Sequence, residues 1–450
     1  MTEPQQIRGT RVPGVILAGA SVRSLAESAL LSGMEPLCID MFGDADLRRL
    51  LQRHRIPWSA RRIPSLTVLP RVLHDIAEGV PLIWSGGLEN HPEILRQLSR
   101  LMCVCGAPVE TISRIRHPDS VARIVKPSGC RVPEIRPVPL LSRRMQVTSG
   151  DWVMKRRDSS GGVGVTRYEP GSRTSAPAQY LQRRVSGIPI SATFVAGPLG
   201  CRFAGAALQL VGTAELGASE YLFCGNAGPV ELARAAEMKI SAAGELIAEN
   251  GMIGVFGIDF VLDRDQVWLI EVNPRITASH ELFDSGSPGP PLLLQQLEMF
   301  GDSILRREAS SSRHSGSHMV RHEAPILLRF VVWSRRAGSL SHSDVATLLD
   351  LTREAVTKDQ AGGGNLAACW VADVPNPGPI SEGQPFCSIY RSLSADAVEH
   401  DYGEIDVLVG RHAGLPELDT RHLAESCSCL FDLIRSGDND GQYNQPPADG

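Results

Sequence analysis

Phe256-Gly-Ile-Asp-Phe-Val-Leu-Asp-Arg-Asp-Gln-Val-Trp-Leu-Ile-Glu-Val-Asn-Pro-Arg275 is the stretch on which the reading of this chain turns. Two apolar runs, 256–262 and 267–273, flank Asp263-Arg-Asp-Gln266, the pattern of a β-hairpin. Strand alternation sets Asp259 on the face opposite Ile258 and Phe260. In the second strand Glu271 and Asn273 are expected to share a face with Leu269. A turn that pairs residue 262 with residue 268 puts Asp259 opposite Glu271, with Cβ atoms about 5 Å apart. Like charges at that separation need compensation. Two carboxylate oxygens and the Asn273 amide oxygen suit Mg²⁺ (or Mn²⁺), with substrate phosphates completing the shell. Arg275, two residues further on, is suited to bidentate contact with phosphate. A solvent-facing hairpin with ordinary surface acids is the competing reading. It is disfavoured because unpaired carboxylates are costly inside strands this apolar.

Upstream, Trp152-Val-Met-Lys155 reads as a strand that ends on a lysine and runs into Ser159-Ser-Gly-Gly-Val-Gly164. Gly161, Gly162 and Gly164, with Ser160, allow backbone N–H groups to close on phosphate oxygens, and Lys155 adds a point charge. No Gly-Lys-Ser/Thr follows, so this is not a Walker A loop. Taken alone it reads equally as a flexible turn. Upstream of an acidic hairpin it gains meaning, because phosphate chemistry needs both the metal and the cations.

Further outward, Gly14–Gly19 is an apolar run followed by a helical pattern through Leu25, Ala26, Ala29 and Leu30. Glu35–Asp40 is a second strand ending in an acid, and Pro81–Trp84 another, followed by a helix near Pro92–Cys105. This is a βαβ opening to a mostly parallel sheet. Ile188–Ala196 and Cys201–Val211 read as a hairpin around Gly197-Pro-Leu-Gly200. Pro229–Asn250 carries apolar residues at helical spacing with Gly251 as a stop. Ile326–Trp333 and Ala368–Val374 read as strands of a small C-terminal domain. The expected class is α/β with α+β: an N-terminal open parallel sheet over 10–112, a two-lobed core over 113–302, a flexible linker over 303–323, a mostly β C-terminal domain over 324–436 and a disordered tail over 437–450.

Composition narrows the function. The 450 residues carry a net charge of −5, which gives no reason to expect nucleic acid or an anionic membrane surface as partner. No run approaches the roughly 20 apolar residues of a membrane span. The N-terminus lacks the apolar core of a signal peptide, and ten scattered cysteines suit a reducing compartment. A cytoplasmic location is expected.

The order strand-Lys155, glycine loop, hinge strand, helix, then Asp259 and Glu271-Val-Asn-Pro-Arg275 resembles the ATP-grasp superfamily. The nearer resemblance is to its biotin-carboxylase-like predicted ATP-dependent carboligase branch. It is carried by Gly19–Ala29, Asp40-Met-Phe-Gly-Asp-Ala-Asp46, Gly86–Asn90, Asn273–Ser279, Ala372-Asp-Val-Pro-Asn-Pro-Gly378 and Pro385–Ile389, over roughly residues 14–390. The resemblance implies that Lys155 and the 159–164 loop hold the β- and γ-phosphates. It implies that Asp259, Glu271 and Asn273 hold the metal. Tyr180-Leu-Gln-Arg-Arg-Val185 would be the hinge, contacting adenine through the backbone near Arg183 and Val185, with Gln182 near its amino group. A further cation usually precedes the central domain, and Arg116 is the candidate. Many relatives carry Glu where this chain has Gln182, and Gly187–Ser191 contains no acid, so no ribose contact is assigned. Asp259 stands where many have Glu.

The activity implied by the resemblance is that of an ADP-forming ligase. ATP activates a carboxylate as an acyl-phosphate, and an amine displaces phosphate to form a C–N bond. Lys155 and Arg275 would stabilise the transferring phosphoryl group. Asp40 and Glu89-Asn90, at strand ends of the N-terminal sheet, are candidate substrate contacts or merely turn residues. The alternatives are a carboligase that uses bicarbonate, for which the chain lacks a biotin-carrier motif of its own, and a non-catalytic ATP-binding regulatory protein. Expected partners are small-molecule carboxylate and amine substrates, with a homodimer left open.

Overall fold

The computed structural model describes residues 14–58, 60–74, 76, 79–137, 152–169, 179–284, 289–301, 326–353, 369–393 and 403–437. The linker expected at 303–323, and the tail beyond 437, lie outside the described residues.

The N-terminal part is a parallel sheet of β1 (Val15–Gly19), β2 (Pro36–Asp40), β3 (Arg61–Arg62) and β4 (Leu82–Trp84), in the order β3-β2-β1-β4. β1 and β2 are buried along their whole length, as apolar strands covered on both faces must be. Around them lie α1 (Arg23–Leu31), α2 (Ala45–Arg53), α3 (Leu69–Leu73) and α4 (Pro92–Leu101), with α5 (Val109–Ile115) and α6 (Pro118–Val125) leading away. The helix expected near Pro92–Cys105 thus ends at Leu101. The strand order reverses between β1 and β4, so their C-terminal ends form the crevice where open sheets take ligands. That crevice is tight: a side chain on Gly19 would come within 1.8 Å of the Ser85 hydroxyl, which donates to Ser21 O at 2.7 Å.

Two further sheets follow. A small one is built from β5 (Ile135–Pro137), β6 (Trp152–Arg156), β7 (Thr166–Arg167) and β8 (Gln179–Arg183), in the order β5-β8-β6-β7. The large one includes β9 (Ile188–Gly197), β10 (Gly200–Val211), β11 (Phe223–Val230), β12 (Gly254–Asp263) and β13 (Gln266–Asn273). β9 and β10 form the expected hairpin. α7 (Arg234–Glu249) packs on β9 and β10 so closely that a Cβ on Gly244 would lie 2.3 Å from the Phe194 ring. The helix expected from Pro229 starts instead at Arg234. Val230 pairs with Ala206, so Pro229 and Val230 complete β11, and sheet pairing overrides the local helical spacing.

Past α8 (His280–Asp284) and α9 (Leu292–Glu298), the C-terminal part is β-rich. Its β14 (Ile326–Trp333), β16 (Cys369–Ala372) and β18 (Pro385–Leu393) extend the large sheet rather than forming a separate one. The full order is β13-β12-β9-β10-β11-β14-β18-β16, with β15 (Gly338–Leu340) and β17 (Gly378–Ile380) paired apart. α10 (His342–Asp350), α11 (Gly403–Ala413) and α12 (Thr420–Ser436) close this end. One buried cluster joins Val15, Leu17 and Leu25 to Val195, Val255 and Leu327, so the N-terminal sheet is seated on the large one. Among the described residues no helix is long and apolar enough to cross a membrane.

Candidate nucleotide and metal site

The acidic hairpin forms with one change of register. Leu262 pairs with Val267, not with residue 268, and the ladder runs on to Phe260 opposite Leu269. A bulge between Asp259 and Phe260 then skips Ile270, and Asp259 faces Glu271. The bulge also reverses the facing of the second strand. Leu269 and Val272 are buried in the core beside Ile258 and Phe260. Glu271 and Asn273 therefore lie on the face opposite Leu269, which corrects the expected alternation. The bulge thus turns Asp259, Glu271 and Asn273 out of the core and into one cleft.

Their contacts are polar, and the Glu271 side chain is 40 % exposed. Asn273 Nδ2 donates to Asp259 Oδ2 at 3.0 Å, and Gln209 Nε2 of β10 to Asp259 Oδ1 at 2.9 Å. Burial, then the facing Glu271, push the Asp259 carboxyl up to about 7. Glu271 behaves oppositely. Burial would raise it, but Lys155, followed by Arg116, holds it below the ordinary carboxylate range. Of the two carboxyls, Asp259 is thus the one that takes up a proton more readily. Two opposed carboxylates and an amide supply oxygen donors of the kind Mg²⁺ uses. Among the described residues no group of three His, Cys, Asp or Glu could hold a metal. A cation here would therefore take the rest of its shell from a ligand.

Lys155 reaches the cleft from the small sheet. It is 9 % exposed, and its Nζ lies 3.4 Å from Glu271 Oε2. Burial works against its charge, but Glu271 more than offsets this and holds the pKa above the ordinary lysine value. Gln182 shares the Lys155 face, because Val153 pairs with Gln182 on β8. It is buried, and its Nε2 meets Ile270 O at 3.5 Å. Arg183 is exposed and its N–H donates to Glu134 O at 2.8 Å, so that donor is already taken. Val185 lies just beyond the strand, in the link to β9.

The glycine loop is docked. Phe223 N donates to Gly161 O at 3.1 Å. Gly161, Gly162 and Gly164 all have positive φ, at 64°, 79° and 74°. A Cβ on Gly162 would fall 1.8 Å from Tyr221 O. Ser160 O accepts from Val163 N at 3.3 Å within the loop.

Arg275 and Arg116 complete the cations. Arg275 Nε donates to Glu89 Oε1 at 2.7 Å. Burial opposes the Arg275 charge, but Glu89, ahead of Asp259 and Glu271, raises its pKa above the ordinary arginine value. Arg116 donates to Glu89 O at 2.6 Å and to Ser159 O at 3.2 Å. Glu89, expected as a candidate substrate contact, is therefore engaged by the chain itself. Asp40 is likewise engaged, by Val22 N at 3.1 Å and by Gly43 N. Burial pushes its carboxyl up to about 6.

A second polar cluster joins the motif residues Arg23 and Asp373 to Glu281, Arg329 and Tyr390, which the sequence does not single out. Arg23 Nη2 donates to Glu281 Oε1 at 2.7 Å, and Arg329 Nη2 to Asp373 Oδ2 at 2.7 Å. Tyr390 donates to Glu281 Oε2 at 2.5 Å. The Asp40–Asp46 and Ala372–Gly378 motifs come together as well. Asp46 accepts from Asp373 N at 3.0 Å and Val374 N at 2.9 Å, and Asn376 Nδ2 donates to Gly43 O at 2.9 Å. These motifs build the junction between the N-terminal and C-terminal parts. The sequence shows their side-chain types but not that they meet.

Among known proteins, a family model for the ATP-grasp domain matches residues 122–279. No curated protein sequence matches the chain. Solved structures are similar over most of its length. N5-carboxyaminoimidazole synthase from Aspergillus clavatus, bound to ADP and 5-aminoimidazole ribonucleotide, has a TM-score of 0.57 at 12% identity, over 89% of this chain and 99% of that one. N5-carboxyaminoimidazole ribonucleotide synthetase from Thermus thermophilus has a TM-score of 0.54 at 15% identity, over 88% and 98%. Pyruvate carboxylase from Rhizobium etli has 0.58 at 13% identity, over 94% of this chain and 41% of that one. At such identities the likeness is one of fold. The segment that matches the ATP-grasp domain model lies between an N-terminal α/β sheet and a β-rich C-terminal part.

Proposed function

We propose that this chain is an ATP- and Mg²⁺-dependent ligase that activates a carboxylate as an acyl-phosphate and passes the acyl group to an amine. The observation that carries this reading is the convergence of Asp259 and Glu271, face to face, with Lys155, Arg116 and Arg275 around one cleft. A protein that only bound nucleotide would have no need of a carboxylate pair kept out of the core at this electrostatic cost.

In this reading Asp259, Glu271 and Asn273 hold Mg²⁺, or Mn²⁺ in its place, through oxygen atoms. The cation would neutralise charge on the phosphate oxygens. Lys155 lies beside Glu271 and is charged at neutral pH, so it can bind the β- and γ-phosphates directly. The loop 159–164, with Ser160, Gly161, Gly162 and Gly164, covers them with backbone N–H groups and excludes water from the acyl-phosphate. Arg275 holds the oxyanion that develops on the transferring group. Gln182, Arg183 and Val185 line the adenine end. Gln182 offers its amide there, while Arg183 offers its carbonyl rather than its spent N–H. The carboxylate oxygen attacks the γ-phosphorus and ADP leaves. The amine then attacks the acyl carbon, the C–O bond to the phosphorus-bound oxygen breaks with its electron pair passing to that oxygen, and inorganic phosphate leaves while the amine nitrogen gives up a proton to solvent.

The test is a screen of ADP release against mixtures of carboxylates and amines, with bicarbonate as a separate arm and Glu271→Gln as control. ADP release that requires both a carboxylate and an amine, and is abolished in the variant, supports the ligase. Release that requires bicarbonate alone would move the reading to a carboligase. ATP binding without ADP release in any mixture would leave a regulatory nucleotide binder.

A further inference from the structure

We propose that Glu89, in the N-terminal part, is a positioning residue that presets Arg275 for anion recognition; this rests on the ligase reading above. Its side chain is 1 % exposed, and both carboxylate oxygens are taken. One accepts from Arg275 Nε and the other from Gly87 N, each at 2.7 Å. Gly87 has φ 107°, a conformation that favours glycine, and this loop folds the carboxylate back on itself. Buried and with each oxygen engaged within the chain, the Glu89 carboxylate is not presented to a substrate. What it does is grip Arg275 along one edge of the guanidinium.

That grip fixes the arginine fork. The remaining contact, Nη1 to Ile276 O at 3.4 Å, is long, so Glu89 supplies the dominant constraint on the side chain. A guanidinium held by its Nε edge keeps the far edge available for a second oxyanion, in a fixed plane. The same residue holds Arg116, but through its main-chain oxygen. Arg116 in turn ties Ser159 at the start of the glycine loop. One position in the helical turn Leu88–Asn90, beyond β4, thus organises two cations of the proposed nucleotide cleft, by two separable means. The side chain serves Arg275, and the backbone serves Arg116.

The separation gives the test. Glu89→Gln keeps the shape and the main-chain oxygen but removes the charge. Turnover as ADP release, and affinity for Mg·ADP, are measured for Glu89→Gln, Arg275→Gln, Arg116→Gln and the two double variants. Expected is a fall in kcat of about 30-fold for Glu89→Gln with Mg·ADP affinity within about threefold. In the Arg275→Gln background, Glu89→Gln should change kcat by less than about twofold, because it acts through that arginine. In the Arg116→Gln background it should retain its full effect. Additive losses with Arg275→Gln, or equal coupling to both arginines, would overturn the assignment. Should Glu89→Gln lose its cooperative melting transition, Glu89→Asp replaces it in the same cycle. Wild-type protein that releases no ADP sinks the ligase reading itself. The cycle is then read on Mg²⁺-dependent affinity for inorganic pyrophosphate, where additivity of Glu89→Gln and Arg275→Gln again counts against Glu89.

Discussion

Gly161→Ala and Gly162→Ala form a matched pair that asks whether the docked glycine loop is the form that grips nucleotide. Both residues have left-handed backbone, with φ 64° and 79°. Each alanine therefore carries a similar conformational cost, about 1–2 kcal/mol. Their surroundings differ. A Cβ on Gly161 meets nothing within 4 Å, whereas one on Gly162 would lie 1.8 Å from Tyr221 O and 2.7 Å from its carbonyl carbon. Backbone atoms cannot swing aside as a side chain can. The Gly162→Ala loop must leave its dock, and the Phe223 N to Gly161 O bond is lost with it. That bond is worth about 1 kcal/mol net, and the packing at Tyr221 and Leu222 adds a similar amount. The expected gap between the variants is then about 2 kcal/mol, or roughly 30-fold in affinity. Calorimetric titration with Mg·ADP measures it directly, and limited proteolysis reports whether the loop is free. Near-equal losses for the two variants would refute the idea that docking on 221–223 matters, and would leave backbone strain as the whole effect.

Three further outcomes are expected. Glu271→Gln should lose at least about a hundredfold in Mg²⁺-dependent ADP release, the scale of losing one electrostatic stabiliser of the transferring group, measured by coupled assay; retention of full release would remove Glu271 from the metal site. The Asp259 carboxyl, pushed up to about 7, predicts opposite pH trends with and without metal. Because its folded pKa is raised, the metal-free fold is favoured below the unfolded value of about 3.9, and that contribution is lost as pH rises through about 7. Mg²⁺ affinity instead weakens below about pH 7, by up to about tenfold per unit, since the proton must leave first. Denaturant unfolding in chelator and Mg²⁺ titrations at several pH values test both trends, with Asp259→Asn expected to flatten the first. Gly244→Ala should destabilise the fold by about 1–3 kcal/mol through overpacking, because the added methyl would meet the Phe194 ring at 2.3 Å. An unchanged melting temperature would show that the ring can yield.

The acidic hairpin is legible in the sequence because its carboxylates interrupt apolar strands, and strand alternation carries that signal locally. A turn one residue out of register still leads to the pairing of Asp259 with Glu271, because the bulge at Ile270 restores the same pair. A bulge is settled by tertiary packing and leaves no local mark, so simple alternation puts Leu269 on the wrong face of its strand. Lys155 is legible from its place at the end of a strand. The partners of Arg275 and Asp259 are not. Glu89 and Arg275 are 186 residues apart, and Gln209 and Asp259 are 50 apart, so their meeting depends on how whole sheets are seated. The start of α7 is hidden for a similar reason, since Val230 is claimed by its partner Ala206 on β10 before the helical spacing can act.

The continuity of the large sheet sets the mechanics of the molecule. β14 is hydrogen-bonded to β11, and β18 to β14, so the C-terminal part is a fixed buttress of the frame that carries Asp259 and Glu271. Asp46 and Arg23 clamp the N-terminal part to the same frame. Among the described strands, the small sheet of β5 to β8 pairs with none of the large sheet. Lys155 sits on the small sheet and its carboxylate partner on the large one, and the two sheets meet through several contacts: Lys155 Nζ to Glu271 Oε2 at 3.4 Å, Gln182 Nε2 to Ile270 O at 3.5 Å, and Phe223 N to Gly161 O at 3.1 Å. If nucleotide enters between these two sheets, as the ligase reading has it, a crosslink between β6 and β13 should slow Mg·ADP binding in stopped-flow, whereas one between β14 and α8 should leave the rate unchanged; equal rates for both would refute that route.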